Sequence, residues 1–211
     1  MRTIDPREDL ETKELVDRLG ALVVFLVVAP LMALIALAIK LDDGGDVFFR
    51  QERAGLGGRP FKIWKFRTMV PNAFEIGKGY VPKDADLVTR VGKFLRRTSL
   101  DELPQILNIL TGEMSFVGPR PTLMQHVPRY TLQQMKRLMV KPGVAGWAQL
   151  HGRHSMPWSK RIEYDVEYVE RAGLLFDLYI LLRTPLSLLF GGDYTDHGDA
   201  SQVDDLGPAP A

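Results

Sequence analysis

The chain has 211 residues, a formal net charge of +1 and no cysteine. This length suffices for one globular domain with a hydrophobic core, and the lack of cysteine excludes disulfides, thiolate metal sites and cysteine nucleophiles. The near-neutral total conceals a segregation of charge, because residues 50–67 carry six basic residues and one acid, whereas residues 191–211 carry five aspartates and no Lys or Arg. We predict an anion-binding surface at 50–67 and a flexible acidic tail at 191–211.

Residues 19–39 form an uncharged, apolar run between Arg18 and Lys40. A helix of this length reaches across the hydrocarbon core of a bilayer, and no small-residue cleavage site follows it, which disfavours a signal peptide. Pro30 lies near the middle, where it kinks or breaks a helix. Two topologies therefore compete: a spanning helix, which tolerates a proline, and a re-entrant hairpin. Since basic residues lie on both sides and are held in the cytoplasm, a spanning helix would export one basic group and a hairpin neither.

The rest of the chain up to residue 190 predicts one compact α+β domain with short strands and several helices. Alternating apolar and polar residues around the glycines at 55, 57 and 58 predict a β-hairpin. Leu-rich residues 172–190 suit an amphipathic helix in the membrane interface or an ordinary buried helix. Further helices are predicted over 86–96, 101–111, 129–139 and 158–171, with loop and turn at 140–154.

The stretch TSLDELPQ places two carboxylates, Asp101 and Glu102, side by side at a predicted helix start. Ser99 and Glu102 have the spacing of a capping box, which would explain Glu102 without any chemistry. A carboxylate in the positive end of a helix dipole stays ionised, and neighbouring helical positions point about 100° apart. The pair therefore predicts two roles: one carboxylate can attack phosphorus while the other helps to hold Mg²⁺, which prefers carboxylate and phosphate oxygens.

Basic residues recur near turns in several separate motifs. The planar guanidinium of arginine matches phosphate oxygens, and the sequence GPRP fixes Arg120 between two prolines on a stiff backbone. For each residue taken alone, a surface or ion-pair role is the more ordinary explanation. The residues concerned are Lys65, Arg67, Arg96, Arg97, Arg120 and Arg153.

The motifs VFFRQERAG, KFRTM, TRVGKFLRRTSLDELPQILNIL, GEMSFVGPRP and VKPGVAGWAQLHGR, in this order, resemble the bacterial sugar transferase family, the monotopic phosphoglycosyl transferases. The resemblance runs from about Lys13 to Thr184. It implies transfer of a sugar-1-phosphate from a UDP-sugar to polyprenol (undecaprenyl) phosphate, with release of UMP, at the cytoplasmic face of the bacterial inner membrane. It also implies a covalent phosphosugar intermediate on Asp101 and Mg²⁺ held at Asp101 and Glu102. The substrate-binding residues that it implies are Lys65, Arg67, Arg96, Arg120 and Arg153.

The same resemblance implies a re-entrant membrane helix broken at Pro30. The expected organisation is an interfacial segment at 1–18, the re-entrant helix at 19–41 and a catalytic domain at 42–190. Nucleic acid is not an expected partner. The resemblance leaves open whether the protein forms a homodimer. His151 and His154 stand where relatives often have Asn, so the resemblance does not predict which sugar is transferred.

Two other functions stay open on the sequence. A membrane-anchored module that binds anionic lipid or nucleic acid without catalysis would use the basic stretch and its aromatic residues Trp64 and Phe66. Such a module would not need Asp101, because a negative charge opposes anion binding. A nucleotide-sugar phosphohydrolase would use the same two carboxylates and release free sugar phosphate without a lipid acceptor.

Overall fold

The computed structural model describes residues 6–71, 73, 87–152, 156–190 and 205–207. The first element, α1 (Pro6–Asp43), is a single helix that continues through Pro30. The backbone is thus helical at the point where a break was predicted, as an apolar helix can tolerate the loss of one hydrogen-bond donor. Within the part of the chain that the structure describes, one helix is long and apolar enough to cross a membrane, Glu11–Asp43, judged by length and composition.

The predicted β-hairpin is confirmed as β1 (Phe48–Ala54) paired antiparallel with β2 (Pro60–Phe66). Its turn has Gly57 and Gly58 at φ values of 64° and 74°, a left-handed conformation that glycine adopts without a Cβ clash. The second pair of strands is short and parallel, β3 (Ser115–Val117) with β4 (Gly143–Ala145). The structure therefore has the predicted α+β character with short strands.

Six further helices in the described residues surround these strands. The helix predicted at 129–139 is a short α-helix followed by a 3₁₀ turn at Lys136–Met139, and the one predicted at 158–171 is confirmed. The helices are α2 (Arg90–Thr98), α3 (Gln105–Leu110), α4 (Leu132–Met135), α5 (Trp147–His151), α6 (Trp158–Arg171) and α7 (Leu174–Phe190).

The helix predicted at 101–111 is divided into a 3₁₀ turn, Leu100–Glu102, and α3. Ser99 ends α2 in the left-handed conformation, with φ 57° and ψ 15°, and its side chain makes no capping hydrogen bond. The predicted capping box between Ser99 and Glu102 is therefore wrong. A capping residue needs an extended backbone to turn its oxygen toward the helix start, and the left-handed turn prevents this.

One face of α1 forms part of the main hydrophobic core. Ala21, Met32, Ile35 and Ile39 are buried together with core residues of the domain such as Ile106. The opposite face, which includes Leu26 and Val27, is exposed. A helix with one packed face and one exposed apolar face is suited to contact both a protein domain and lipid.

Both ends of α1 are attached to the folded domain through ionic contacts. Near its start, Lys13 pairs with Asp177 of α7, whose carboxylate also accepts a hydrogen bond from Tyr168 at 2.7 Å. At its end, Asp43 pairs with Arg67, which follows β2, at 2.6 Å. The two ends of the membrane helix are therefore held by the same domain.

Residues 205–207 differ from the prediction of a flexible tail without core contacts. Leu206 is buried in a second apolar cluster with Tyr130 and Ile162. Asp205 accepts a hydrogen bond at 2.9 Å from the backbone N–H of Ser159, in the first turn of α6. The buried side chain of Leu206 and hydrogen bonds to Ser159 and from Arg129 together attach this segment to the domain. The rest of the predicted tail lies outside the described residues.

Candidate active site

Three side chains from separate elements form the site cluster, which we define as Lys65, Glu102 and Arg120. Lys65 Nζ lies 2.7 Å from Glu102 Oε1, and the Arg120 guanidinium lies 2.6 Å from the same oxygen and 3.3 Å from Oε2. Burial alone would raise the pKa of Glu102, but the charges and hydrogen bonds of Arg120 and Lys65 outweigh it and hold that pKa well below its usual range. Glu102 is therefore ionised at any physiological pH.

Asp101 lies beside the site cluster and is half-buried. Within the described residues its carboxylate makes no hydrogen bond or ion pair. Burial raises the pKa of Asp101 above its usual range; the charges of Lys65 and Arg96 oppose the shift and that of Glu102 adds to it. A carboxylate that is desolvated and not engaged by a partner has the properties of a nucleophile.

Arg96 reaches the same site from the last turn of α2. Its Nε donates to Thr68 Oγ1 at 2.9 Å, which fixes the guanidinium, and its charge lowers the pKa of Asp101. Arg97, one position further along the helix, is exposed. The two adjacent arginines of this motif thus differ in position: Arg96 lies near the carboxylates, where it was predicted, and Arg97 faces solvent.

The structure does not bring Arg67 to the site cluster. Its guanidinium donates to the carboxylate of Asp43, at 2.6 Å, and to the carbonyl oxygens of Asp46 and Met69. These contacts tie the end of α1 to β2, so the predicted substrate contact from Arg67 has no support in its surroundings.

Three further positions singled out in the sequence, His151, Arg153 and His154, lie close together in the chain. Arg153 and His154 lie outside the described residues. His151 is exposed at the end of α5, where its ring stacks on that of Tyr164 at 4.2 Å and contacts that of Trp147 at 4.1 Å. It is therefore part of an aromatic group next to the site.

Arg53 of β1 is a site residue that the motif reasoning did not single out. Its guanidinium donates to Gln51 at 2.6 Å, and its buried Nε makes no hydrogen bond with the described part of the chain. Burial together with nearby Arg120 lowers its pKa to about 10. The strand register places Arg53 on the same face of the hairpin as Lys65. The alternation of side chains between the two faces of a strand is the sequence signal that could have predicted this position of Arg53.

A buried ion pair contacts the backbone of Arg120. Arg137 lies 2.7 Å from Asp165, donates to the Tyr130 hydroxyl at 2.6 Å and donates to the backbone carbonyl of Arg120 at 2.9 Å. Because Arg137 and Asp165 are almost fully buried, their separation would be costly. The backbone that carries Arg120 is thus held in place, as expected for a group that must bind a ligand in one geometry.

A cavity of about 390 Å³ adjoins the site cluster. Its lining includes the charged side chains of Glu102, Arg120 and Arg161 and the apolar side chains of Val24 and Val28 of α1. Its size lies in the range of small-molecule binding sites. The cavity therefore connects the charged residues to the membrane helix.

The implied Mg²⁺ can be compared with the donors present. Among the described residues, no group of three or more His, Asp or Glu side chains lies close enough together to hold a metal ion. Proteins commonly hold Mg²⁺ through one or two carboxylates together with substrate phosphates and water. Asp101 fits this pattern because no residue that the structure describes engages its carboxylate, whereas Glu102 is already engaged by two cations.

These features define a class of protein: a domain attached to an apolar helix, with a cationic site around two carboxylates that can accept a phosphorylated ligand. The chain belongs to the bacterial sugar transferase family, whose family model matches residues 8–191. It is therefore a transferase, and the predicted resemblance is confirmed.

Three relatives illustrate the similarity. The sugar transferase EpsL of Bacillus subtilis is 40% identical over 90% of this chain and 94% of its own length. The exopolysaccharide production protein ExoY of Rhizobium meliloti is 38% identical over 84% of this chain and 86% of its own. The UDP-glucose:undecaprenyl-phosphate glucose-1-phosphate transferase of Xanthomonas campestris is 44% identical over 84% of this chain, but this chain spans only 38% of that protein.

Proposed function

We propose that the protein transfers a sugar-1-phosphate from a UDP-sugar to undecaprenyl phosphate, in two steps through Asp101. The names of several relatives support these substrates. The observation that carries the proposal is the unengaged, half-buried carboxylate of Asp101 beside cations of the site cluster. A structural ion pair would leave no such carboxylate, and a site that only binds anions would not contain one.

In the first step, an Asp101 carboxylate oxygen attacks the β-phosphorus of the UDP-sugar. A phosphorus–oxygen bond forms on Asp101 while the bond from the β-phosphorus to the bridging oxygen breaks, and UMP leaves with the electron pair. In the second step, a phosphate oxygen of the lipid attacks the same phosphorus, and the bond to Asp101 breaks. The carboxylate is regenerated and the lipid carries the diphosphate-linked sugar.

The surrounding residues have roles that follow from their positions. Lys65, Arg120 and Arg53 surround Glu102 and would balance the charge of the diphosphate. Burial raises the pKa of Asp101, and the charges of Lys65 and Arg96 oppose this rise and so favour the ionised carboxylate. Bound Mg²⁺, held by Asp101 and the substrate phosphates, would supply further neutralisation of negative charge.

The test is release of UMP from a panel of UDP-sugars by purified protein with undecaprenyl phosphate and Mg²⁺. Asp101→Asn should lower the rate on the order of 10³-fold or more, as expected when a nucleophile is removed, and should abolish covalent labelling by a radioactive UDP-sugar. Asp46→Asn, at an exposed carboxylate near the end of α1, is the matched control and should retain both.

The outcomes separate the alternatives. Undiminished UMP release by Asp101→Asn would contradict the nucleophile assignment. Free sugar phosphate produced without lipid would favour a phosphohydrolase. Anion binding with no turnover of any UDP-sugar would favour a binding module.

We also propose that α1 bends in the membrane at Pro30, where the ring removes one backbone hydrogen bond, so that the helix enters and returns and both of its ends lie with the domain at the cytoplasmic face. The attachment of both ends to one domain, through Lys13 with Asp177 and Asp43 with Arg67, supports this. Charged residues that pair with a single folded domain must lie on the same side of a bilayer as that domain, since charge is costly in the hydrocarbon core.

The native chain lacks cysteine, which makes single-cysteine labelling direct. Glu11→Cys and Leu56→Cys, both at exposed positions, should react with a membrane-impermeant maleimide only after the inner membrane is opened. Reaction of one of them in spheroplasts with an intact inner membrane, while the other stays protected, would establish a spanning helix instead.

A further inference from the structure

The cavity beside the site cluster is lined by two chemically different groups of residues. Its polar end is defined by charged side chains that interact with one another through Arg120 and Arg161, namely Glu102, Arg120, Arg161 and Asp165. Its apolar end is defined by side chains that pack in one hydrophobic cluster, Val28, Leu103, Ile106, Ile109 and Phe116, together with Val24 one helical turn before Val28. A cavity with this division matches a ligand that has a polar head and a hydrocarbon chain, because each part then meets surface of its own kind.

The polar end is cationic despite its two carboxylates. Glu102 is shared by Lys65 and Arg120, and Asp165 pairs with the buried Arg137 at 2.7 Å. Both carboxylates are thus neutralised by ion pairs. Arg161 adds a further cation at the wall. The charge that results favours a doubly charged head such as a phosphate monoester.

The apolar end extends to the outer surface of α1. Val28 is half-buried, and Val24, also on the cavity wall, is 39% exposed. Val23 and Val27 on the neighbouring face are 62% and 74% exposed. Since lipid would cover this outer face in a membrane, Val24 lies at the boundary between the bilayer and the cavity. A hydrocarbon chain can pass there from lipid to the charged site.

We propose that this cavity binds the acceptor lipid, a phosphate monoester with a single polyprenyl chain. Its phosphate would contact Arg120 and Arg161, and its first isoprene units would pack against Val24, Val28 and Phe116. The inference rests on the proposed function, because it assigns the second substrate of that reaction to a place. A volume of about 390 Å³ accommodates the head and the beginning of one chain, and the remainder stays in the bilayer.

The decisive variant is Val28→Trp, which fills the apolar end. Its matched control is Val27→Trp, one position away on the exposed face of the same helix. Two quantities are measured: the burst of UMP from enzyme and UDP-sugar without acceptor, and the KM for undecaprenyl phosphate. Val28→Trp should raise that KM about tenfold or more, a range typical for small changes in an apolar pocket, and leave the burst unchanged. Val27→Trp should change neither.

An intact burst together with an unchanged KM in Val28→Trp would overturn the proposal. Wild-type protein that releases no UMP from any UDP-sugar would instead contradict the proposed function, so the two failures are distinguishable. If Val28→Trp also loses the burst, through misfolding or damage to the donor site, direct labelling of the wild-type protein decides the question.

The labelling uses farnesyl phosphate with a diazirine near its head, followed by peptide mapping. We expect crosslinks at Val24, Val28 or Phe116, with protection by excess undecaprenyl phosphate and not by phosphatidic acid, which has the same phosphate monoester on two chains. Crosslinks confined to outward-facing Leu26 and Val27, or equal protection by phosphatidic acid, would overturn the proposal.

Discussion

Two groups of ion pairs near the end of strand β2 use similar side chains for different purposes. In the anchor pair, which we define as Asp43 and Arg67, one carboxylate faces one guanidinium whose remaining donors go to backbone carbonyls. In the site cluster, two cations share the single carboxylate of Glu102. The anchor pair is balanced and saturated, whereas the site cluster has an excess of positive charge.

This difference in charge balance distinguishes residues of this family motif that stabilise the fold from residues that are available to bind a ligand. Lys65 and Arg67 are two positions apart in the sequence KFRTM, yet their partners place them in different groups. Several cations around one half-buried carboxylate repel one another, and a bound anion would offset this repulsion. We therefore expect substitutions in the site cluster to lower turnover, and those in the anchor pair to lower stability while turnover per folded molecule stays unchanged.

Among the variants that test this comparison, Glu102→Gln is expected to have the largest effect on turnover. The amide retains the shape but not the charge, so Lys65, Arg120 and Arg53 would repel one another and lose their positions. UMP release should fall on the order of 10²-fold, as for the loss of one preorganised electrostatic contact. The control is Glu52→Gln, on the opposite face of the hairpin across from Lys62, whose rate should match that of the wild type. Equal rates for Glu102→Gln and wild type would remove Glu102 from the mechanism.

The same variant has a stability signature that depends on pH. The folded-state pKa of Glu102 is depressed below the ordinary value of 4.5. Its contribution to stability is therefore fully present above pH 4.5 and is lost as the pH falls through the lower folded-state value. At pH 7 the free energy of unfolding of Glu102→Gln should be roughly 1–3 kcal/mol lower than that of the wild type. Its melting temperature should therefore be lower at pH 7, and the two melting temperatures should converge in strong acid. A constant difference down to pH 2 would assign the loss to packing.

A smaller effect, visible in the pH profile, distinguishes the two adjacent arginines of α2. Asp101 must be ionised to attack, and burial raises its pKa while Arg96 lowers it. Loss of that cation raises the Asp101 pKa further, so Arg96→Gln should move the acidic limb of UMP release to higher pH. Arg97→Gln, at the exposed neighbour, should leave the limb where it is in the wild type. Identical shifts in both variants would show a general charge effect.

Much of the fold was predictable because its signals are local. The apolar run of α1, the alternation and glycines of the hairpin, and the periodicity of α6 each specify one element. The turn at Ser99 was not predictable from the S-x-x-E spacing, because its left-handed backbone joins two helices, α2 and α3, that each pack against the distant α1. The burial of Leu206 likewise depends on a contact with distant residues.

The site was predictable in its composition and less so in its arrangement. Sequence placed Asp101, Glu102 and Arg120 together through the family motifs, and the structure brings them together. It grouped Arg67 with these residues, whereas the structure pairs Arg67 with Asp43, a residue that is distant in sequence and belongs to the end of the membrane helix. It missed Arg53 because the pairing of two strands, and not a motif, brings that residue near Glu102.

The smallest effect on turnover is expected for Asp43→Asn in the anchor pair. Its carboxylate is partly exposed while the Arg67 guanidinium is largely buried, so the loss should lower stability by about 1 kcal/mol, which corresponds to roughly 2–4 °C in melting temperature. UMP release per folded molecule should stay at the wild-type level. Glu163→Gln, in an exposed i,i+3 pair of α6, should change neither quantity. Loss of turnover without loss of stability in Asp43→Asn would mean that the end of α1 contributes directly to the site, and Arg67 would then return to the substrate-binding residues.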